Sequence, residues 1–201
     1  MISNQLLIDN TFAPIQLLNS LIEKHEKLYK RGWDKFFVIT EDKIITIKVS
    51  INNCKIIDKL DKSNIIKNVA KLLNDNDLFV CDNITDDDIN IEFHYAYNPS
   101  NQSESLSSIF DIHQDDFGGT NFPVHTFICY KTINVVGGNF AFYDNGDGKE
   151  TKEPTKIVDI TSNAPNKSKV IIFNGAMFHC PLPLVFGYRY CLTVQIKKKE
   201  E

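Results

Sequence analysis

The chain has 201 residues, of which 42% are hydrophobic and 24% are charged, and its formal net charge is −4. That length and apolar content suit one well-packed domain and are too small for two large ones. The slightly acidic balance argues against nucleic acid as a partner, because surfaces that bind nucleic acid are strongly basic.

Two further features bear on where the protein works. Its five cysteines are scattered, odd in number and without a Cys-x-x-Cys pair, which indicates free thiols in a reducing compartment. The first residues lack the basic and apolar stretches of a secretory signal, and no apolar run reaches membrane-spanning length. The sequence therefore predicts an intracellular, cytoplasmic protein without a membrane partner, and it leaves the oligomeric state open.

The first 80 residues predict two helices and a hairpin. Apolar residues recur at helical spacing through residues 14–31, with a proline in the first turn and a glycine after the end. Residues 63–74 show the same spacing and predict a second helix. Between the helices, residues 36–39 and 44–49 are β-rich and flank a short polar turn, which predicts a hairpin. We expect residues 1–80 to support one face of a sheet.

The rest of the chain, residues 81–201, is rich in short strands. Turn signals such as Gly137-Gly138 separate the strands, and many short strands at this spacing predict a sandwich or barrel. The β-rich runs cover residues 89–97, 108–113, 124–131, 139–143, 156–160, 169–173 and 189–196. We therefore expect one mainly β domain over residues 1–201, with helices flanking the β core. The polar stretch 98–108 predicts either a surface excursion or a lid over a site.

Three residues of the β-rich part have the chemistry of a ferrous iron site. His113 and Asp115 lie two positions apart at the end of a predicted strand, so their side chains can share one face. His179 follows the strand predicted at 169–173 and a short turn. Two imidazoles and one carboxylate hold one face of a ferrous ion and leave the opposite face open. Asp111 has the same strand parity as Asp115 and is the alternative carboxylate ligand.

A buried positive charge is expected near these ligands. Arg189, Cys191 and Thr193 alternate on one face of the last predicted strand. If that face points inward, the guanidinium needs an anion, because a buried unpaired charge is costly. The carboxylate of an acidic cosubstrate would supply the anion, with Thr193 as a hydroxyl donor.

These motifs, in this order, resemble those of the 2-oxoglutarate- and Fe(II)-dependent oxygenases, in particular their prolyl-hydroxylase-like branch. The resemblance extends from about residue 93 to residue 196. The matching parts are His113-Gln114-Asp115, a Gly-Gly and strand at 137–143, an apolar strand at 170–173, His179, and Arg189 ten positions later.

The resemblance implies a double-stranded β-helix, the jelly-roll fold that cupins also have, with iron near its open end. It implies that His113, Asp115 and His179 bind Fe(II). It further implies that Arg189 binds the 5-carboxylate of the cosubstrate 2-oxoglutarate. The reaction of such an enzyme with O2 releases succinate and CO2.

Other positions match the family pattern less directly. Many members carry Ser or Thr two residues after the Arg, where this chain has Cys191, and Thr193 is the candidate replacement. Prolyl-hydroxylase-like relatives carry a Tyr on the strand before His-x-Asp, and both Tyr95 and Tyr97 are candidates for binding 2-oxoglutarate. The nucleic-acid demethylase branch usually has a second Arg after the first. This chain has Gln195, Lys197 and Lys198 instead, which weakens that interpretation together with the acidic balance.

Three residues near the motifs are expected to have supporting roles. His94 is expected to face the other side of its sheet, away from iron. His125, on a strand, is expected to be structural or to support a ligand. Cys180 is expected to pack as a small residue, because a thiolate does not suit an oxygen-rich ferrous site.

The order of motifs and the acidic balance favour a hydroxylase of an amino-acid side chain in a protein or peptide. Three alternatives stay open. An oxygenase of a free small molecule, such as an amino acid, would have a sealed pocket. A nucleic-acid demethylase would bind single strands in a salt-sensitive way. A non-catalytic β-barrel binding module would have lost a ligand or the Arg.

Overall fold

The computed structural model describes residues 4–30, 45–50, 62–75, 88–98, 112–115, 124–144, 153–162 and 166–197. Within these ranges the chain forms two helices and nine strands. The helices are α1 (Ala13–Lys30) and α2 (Lys62–Asp75). The strands are β1 (Asn4–Asp9), β2 (Ile45–Ser50), β3 (Ile89–Asn98), β4 (Val124–Gly137), β5 (Phe140–Tyr143), β6 (Lys156–Val158), β7 (Lys167–Asn174), β8 (Phe178–Pro181) and β9 (Leu184–Lys197).

The strands form two antiparallel sheets. The larger, which we call the major sheet, has the order β1-β7-β4-β9-β3-β2, and the smaller, the minor sheet, has the order β6-β5-β8. The minor sheet continues beyond β8 through a backbone bridge between His113 and His179. Most neighbouring strands are distant in sequence, which is typical of a jelly roll. The predicted mainly β fold with flanking helices is confirmed.

Strand alternation sorts the side chains of the major sheet into two cores. The outer core joins the sheet to both helices, and the inner core fills the space between the two sheets. On β9, Leu192 and Val194 belong to the outer core, whereas Cys191 belongs to the inner core. We call the side of the major sheet that packs on the minor sheet the inner face. Burying each large apolar side chain contributes about 1.5–3 kcal/mol, so both cores stabilise the sheet.

Both predicted helices are confirmed. The apolar spacing over residues 14–31 corresponds to α1, and that over 63–74 corresponds to α2. Residues from both helices are buried in the outer core, as the helical period requires. The buried helical residues are Ile15, Leu18, Leu21, Ile65, Ile66, Val69 and Leu73. No helix in the described part of the chain is long and apolar enough to cross a membrane.

Most of the predicted strands are present in the structure, but several begin or end at other residues than predicted. β4 and β9 each have 14 residues, and both extend well beyond their predicted ranges. Of the strand predicted at 108–113, the described part shows His113 in the single bridge to His179, and residues 108–111 lie outside the described ranges. Two strands were missed. The first is β1, which pairs with β7, more than a hundred residues away. The second is β8, which follows β7 after a short turn and pairs with β5.

The N-terminal segment does more than supply helices. β1 forms one edge of the major sheet and β2 forms the other. The range 44–49, predicted as half of a hairpin, corresponds to β2 and pairs with β3. Its expected partner at 36–39 lies outside the described ranges, as does nearly all of the polar stretch 98–108. The prediction that a supporting segment ends and the β core begins near residue 80 is not tested by the structure and stays a prediction.

A substitution in the outer core tests this packing. Leu192 is fully buried on β9, one of the two central strands. Leu192→Ala would leave a cavity that the sheet and helices only partly close, so we expect the free energy of unfolding to fall by about 2–5 kcal/mol. Urea denaturation measures the change. Ile157→Ala is the control, because Ile157 is 53% exposed and should change stability by about 0.5 kcal/mol or less. Equal losses in the two variants would contradict the assignment of this core.

Candidate functional site

Three side chains with metal-binding chemistry converge beside the inner face. One ring nitrogen each from His113 and His179 and one carboxylate oxygen of Asp115 lie within 4.8 Å of one another. Asp115 and His179 are buried, and His113 is half-buried. The three residues predicted from the sequence are therefore brought together, although 64 positions separate Asp115 from His179.

Main-chain hydrogen bonds hold these residues in place. The amide of His113 donates to the carbonyl of His179 at 3.0 Å, and the amide of His179 donates back at 2.9 Å. The amide of Asp115 donates to the carbonyl of Gly175 at 2.8 Å. The segment before His179 turns sharply, because the side chain of Asn174 accepts the amide of Ala176 at 2.9 Å. The relative position of the three side chains is thus fixed by backbone pairing.

The ring of His179 is fixed in orientation. Its Nδ1 lies 2.7 Å from the carbonyl oxygen of Met177, and a carbonyl can only accept, so Nδ1 carries the proton and donates. Nε2 is then the nitrogen that points toward Asp115, 3.6 Å from Oδ1. Phe140 and Phe173 pack on the ring at centroid distances of 5.4 and 4.7 Å. A histidine whose second nitrogen is anchored in this way is prepared for ligation through Nε2.

Two neutral side chains hold the carboxylate of Asp115. Thr126 on β4 donates its hydroxyl to Oδ2, and Gln195 on β9 donates Nε2–H to Oδ1 at 2.8 Å. Burial raises the pKa of Asp115, but hydrogen bonding and attraction from His179, the hydrogen bond from Thr126 and attraction from His113 outweigh it. The pKa is therefore held below its ordinary value. Asp115 is an anion at neutral pH.

The donor set fits a divalent transition metal. Two imidazole nitrogens and one carboxylate oxygen form the three-ligand set typical of non-haem Fe(II) sites. Cys180, next to His179, does not point to the cluster, because its thiol donates to the hydroxyl of Tyr143 at 3.5 Å. The expectation that Cys180 is not a ligand agrees with this contact. Asp111, the alternative carboxylate, lies outside the described ranges.

Arg189 lies on the inner face of β9. Its Nη1 donates to the carbonyl oxygens of Gly138 at 2.8 Å and Leu182 at 3.0 Å. These two bonds anchor the guanidinium without neutralising it. Among the residues that the structure describes, no carboxylate forms an ion pair with Arg189. A half-buried guanidinium that is oriented but not paired with a carboxylate is well suited to bind an anion.

The predicted face of β9 is confirmed by the strand register. Arg189 pairs with Thr132 of β4, Cys191 with Tyr130, and Thr193 with Ile128. Ile128, Tyr130 and Cys191 all belong to the inner core. Thr193 is buried on the same face, between Cys191 and Gln195.

Sequence reasoning missed Tyr130 and Gln195. Tyr130 pairs with Cys191, two positions from Arg189 on the same face of β9. Burial raises the pKa of Tyr130 well above its ordinary value, while attraction from Arg189 opposes that rise. Gln195 was noted only as a replacement for an Arg, and it contacts Asp115 directly. The signal that could have found both residues is strand parity relative to Arg189. For Tyr130, that parity depends on a register between β4 and β9 that the sequence does not display.

Of the two histidines outside the cluster whose positions were predicted, one lies where it was expected and the other does not. His94 was expected to face away from the site, and this was wrong, because it pairs with Cys191 and contacts Glu92 on the inner face. His125 pairs with Ile196, an outer-core residue. It therefore lies on the face opposite to Thr126 and Asp115, which agrees with a structural role.

In the ladder of β3 and β9, the positions of the two tyrosine candidates do not pair with Arg189 but with its two neighbours. Position 95 pairs with Tyr190 and position 97 with Tyr188, whereas Arg189 pairs with Ala96. A role for Tyr95 or Tyr97 in binding 2-oxoglutarate stays a prediction.

No protein-family model matches the sequence, and no curated protein matches it. Solved structures do match the fold. A prolyl-4-hydroxylase from Pseudomonas putida is 16% identical, with 98% of this chain and 92% of that chain covered and a TM-score of 0.55. A prolyl 4-hydroxylase from Phytophthora capsici is also 16% identical, with a TM-score of 0.56 and coverage of 96% of this chain and 58% of that longer chain.

A third match is a prolyl hydroxylase from Trichoplax adhaerens, solved in complex with a peptide fragment of the hypoxia inducible factor oxygen degradation domain. It is 16% identical, with 96% of this chain and 83% of that chain covered and a TM-score of 0.50. The chain has the fold of the prolyl hydroxylases. This fold is the double-stranded β-helix, and the resemblance noted in the sequence is confirmed in the fold and in the three converging side chains.

Gly138, whose carbonyl oxygen accepts a hydrogen bond from Arg189, has a left-handed backbone that a substitution can test. Gly138 has φ +71°, and a Cβ there would lie 3.0 Å from Leu184 Cδ1 and 3.3 Å from Arg189 Nη1. For Gly138→Ala we expect a loss of about 1–2 kcal/mol in the free energy of unfolding from the left-handed backbone alone, measured by urea denaturation. A variant as stable as the wild type would contradict the conformation described for this turn.

Proposed function

We propose that the protein is a 2-oxoglutarate- and Fe(II)-dependent dioxygenase that hydroxylates a C–H bond of an amino-acid side chain in a protein or peptide. Succinate and CO2 are the co-products. The observation that carries the proposal is the convergence of His113, Asp115 and His179 within 4.8 Å, on the fold of the prolyl hydroxylases. Arg189, without a carboxylate partner in the described part of the chain, supports an anionic cosubstrate.

The three converging residues would hold Fe(II). His179 would bind through Nε2, since Nδ1 donates to Met177, and the anion of Asp115 would partly balance the charge of the ion. Fe(II) held there would supply, with 2-oxoglutarate and O2, the oxidising power for hydroxylation of a C–H bond. The rings of Phe140 and Phe173 pack on His179 and exclude water from that side of the site.

Arg189 would bind the 5-carboxylate of 2-oxoglutarate. Its Nη1 is anchored on two carbonyl oxygens, so the guanidinium is oriented before any anion arrives. Thr193 on the same strand face and Tyr130 near the guanidinium are the hydroxyl candidates for the same ligand. The preorganised charge would orient the cosubstrate with its keto acid end toward the metal ligands.

A peptide or protein substrate is the interpretation that the similar structures favour. The matched structure from Trichoplax adhaerens holds a peptide, and those from Pseudomonas putida and Phytophthora capsici are prolyl 4-hydroxylases. A cytoplasmic location is consistent with the free thiols of Cys129, Cys180 and Cys191 and with the need to keep iron reduced.

Metal binding is the first test of the proposal. In His179→Ala we expect Fe(II) affinity, measured by anaerobic equilibrium dialysis, to fall by more than about 100-fold, because even loss of an outer-shell partner typically costs about 10- to 100-fold. His125→Ala is the matched control, since His125 pairs with the outer-core residue Ile196. Equal affinity in wild type and His179→Ala would contradict the assignment of the ligands.

Cosubstrate binding is tested at Arg189. We expect Arg189→Leu to bind 2-oxoglutarate about 10- to 100-fold more weakly than the wild type in the presence of Fe(II), because a charge-assisted hydrogen bond contributes about 1.5–3 kcal/mol. Arg189→Lys should recover part of this affinity, since it keeps the charge and loses the planar fork. Isothermal titration calorimetry without oxygen measures the binding. Unchanged binding in Arg189→Leu would place the cosubstrate elsewhere.

The substrate class is tested by mass spectrometry. The Fe(II)-loaded protein is incubated with 2-oxoglutarate, O2 and either a peptide library or the free amino acids, and the products are searched for one added oxygen atom. We expect oxygen in peptides, with succinate formed in equal amount. Oxidation of free amino acids but not of peptides would favour the small-molecule alternative.

A further inference from the structure

A row of polar side chains leads from Asp115 across the inner face to β3. Gln195 donates Nε2–H to Asp115 Oδ1 at 2.8 Å, and Asn90 donates Nδ2–H to Gln195 Oε1 at 2.9 Å. The same Nδ2 donates to Glu92 Oε1 at 3.2 Å. Glu92 Oε2 lies 3.2 Å from His94 Nε2. We call Gln195, Asn90, Glu92 and His94 the polar chain.

The register explains why these residues meet. Asn90 pairs with Gln195, Glu92 with Thr193 and His94 with Cys191 in the antiparallel ladder of β3 and β9. All of them alternate onto the inner face, which elsewhere carries the apolar residues of the inner core. Gln195 is buried, and the side chains of Glu92 and His94 are only 13% and 19% exposed. Polar groups in such a place are costly unless they are hydrogen-bonded.

The two carboxylates that flank the amides of Gln195 and Asn90, those of Asp115 and Glu92, determine which way each amide is oriented. An ionised carboxylate can only accept hydrogen bonds, whereas an amide side chain can donate from nitrogen or accept at oxygen. Between Asp115 and Glu92 stand two amides. Gln195 must present N–H to Asp115, so its oxygen faces Asn90. Asn90 then donates from its single amide nitrogen to Gln195 and to Glu92, and both carboxylates accept a hydrogen only when the two amides have this orientation.

We propose that Glu92 is a positioning residue for Asp115, acting through Asn90 and Gln195. By accepting a hydrogen of Asn90, Glu92 keeps the nitrogen of Asn90 toward the oxygen of Gln195, so that the N–H of Gln195 stays on Asp115 Oδ1. Together with the bond from Thr126 to Oδ2, this restrains rotation of the Asp115 carboxylate. His94 holds Glu92 from the other side. The inference rests on the proposed role of Asp115 in binding a metal.

Isosteric substitutions test the direction of the chain without changing its volume. Glu92→Gln removes the obligate acceptor beside Asn90, so the Asn90 amide can turn its oxygen toward Gln195 and compete with Asp115 for the N–H of Gln195. The double substitution Asn90→Asp with Glu92→Gln keeps the net charge and makes position 90 an obligate acceptor. In that variant the carboxylate at position 90 attracts the amide nitrogen of Gln195, so the oxygen of Gln195 turns toward Asp115 and the hydrogen bond to Oδ1 is lost.

The readout is Co(II) binding to the protein without oxygen, because the visible spectrum of Co(II) reports on its ligands. We expect affinity to fall about 10-fold in Glu92→Gln and about 100-fold in the double variant, in the range found for outer-shell partners, with a shifted spectrum in both. Glu92→Asp, which keeps the acceptor charge, should recover part of the affinity. Ser168→Ala is the control, since it removes the hydrogen bond of the buried Ser168 on β7 to Asn10, which involves no residue of the polar chain, and it should leave the spectrum unchanged.

The outcomes separate this inference from the proposed function. If wild type binds Co(II) through His113, Asp115 and His179 but Glu92→Gln and the double variant match it in affinity and spectrum, the positioning role is overturned and the proposed function stands. If wild type fails to bind Co(II) at all, both are overturned. If the double variant does not fold, as judged by circular dichroism, the isosteric Glu92→Gln decides the question alone.

Discussion

The backbone bridge between His113 and His179 is the interaction on which the candidate site depends. Each residue donates its amide to the carbonyl of the other, so two segments 66 positions apart in sequence are joined at the positions of the two imidazoles. Asp115 is then held two residues further on by its own bond to Gly175. Because these bonds are made by the main chain, the cluster does not rely on side-chain packing to bring its members together. Packing by Phe140 and Phe173 and the bond to Met177 then set the orientation of one ring.

The inner face of the major sheet combines an apolar core with a small number of oriented charges. Asp115 is an anion held by Thr126 and Gln195, and Arg189 is a cation held by two carbonyl oxygens. Each charge is fixed by groups that do not neutralise it, and each therefore remains available to a ligand of opposite sign. Preorganisation of this kind lets a site bind ions without reorganising at the moment of binding.

The sequence predicted the parts of the structure that depend on local pattern. Helical spacing identified α1 and α2, and residue chemistry with strand parity identified the three converging residues and the inward face of Arg189. The parts that it missed depend on pairing between distant strands. The phase of Tyr130 relative to Arg189 follows from the β4–β9 register, and the inward position of His94 follows from the β3–β9 register. β1 lacks a strong pattern of its own and is a strand because β7 offers it an edge.

An anaerobic crystal structure of the protein with Fe(II) and 2-oxoglutarate tests the central claim most directly. The account predicts one ion bound by His113, Asp115 and His179, and the far carboxylate of 2-oxoglutarate on the guanidinium of Arg189. A well-ordered ion bound by other residues, or 2-oxoglutarate seated away from Arg189, would contradict it.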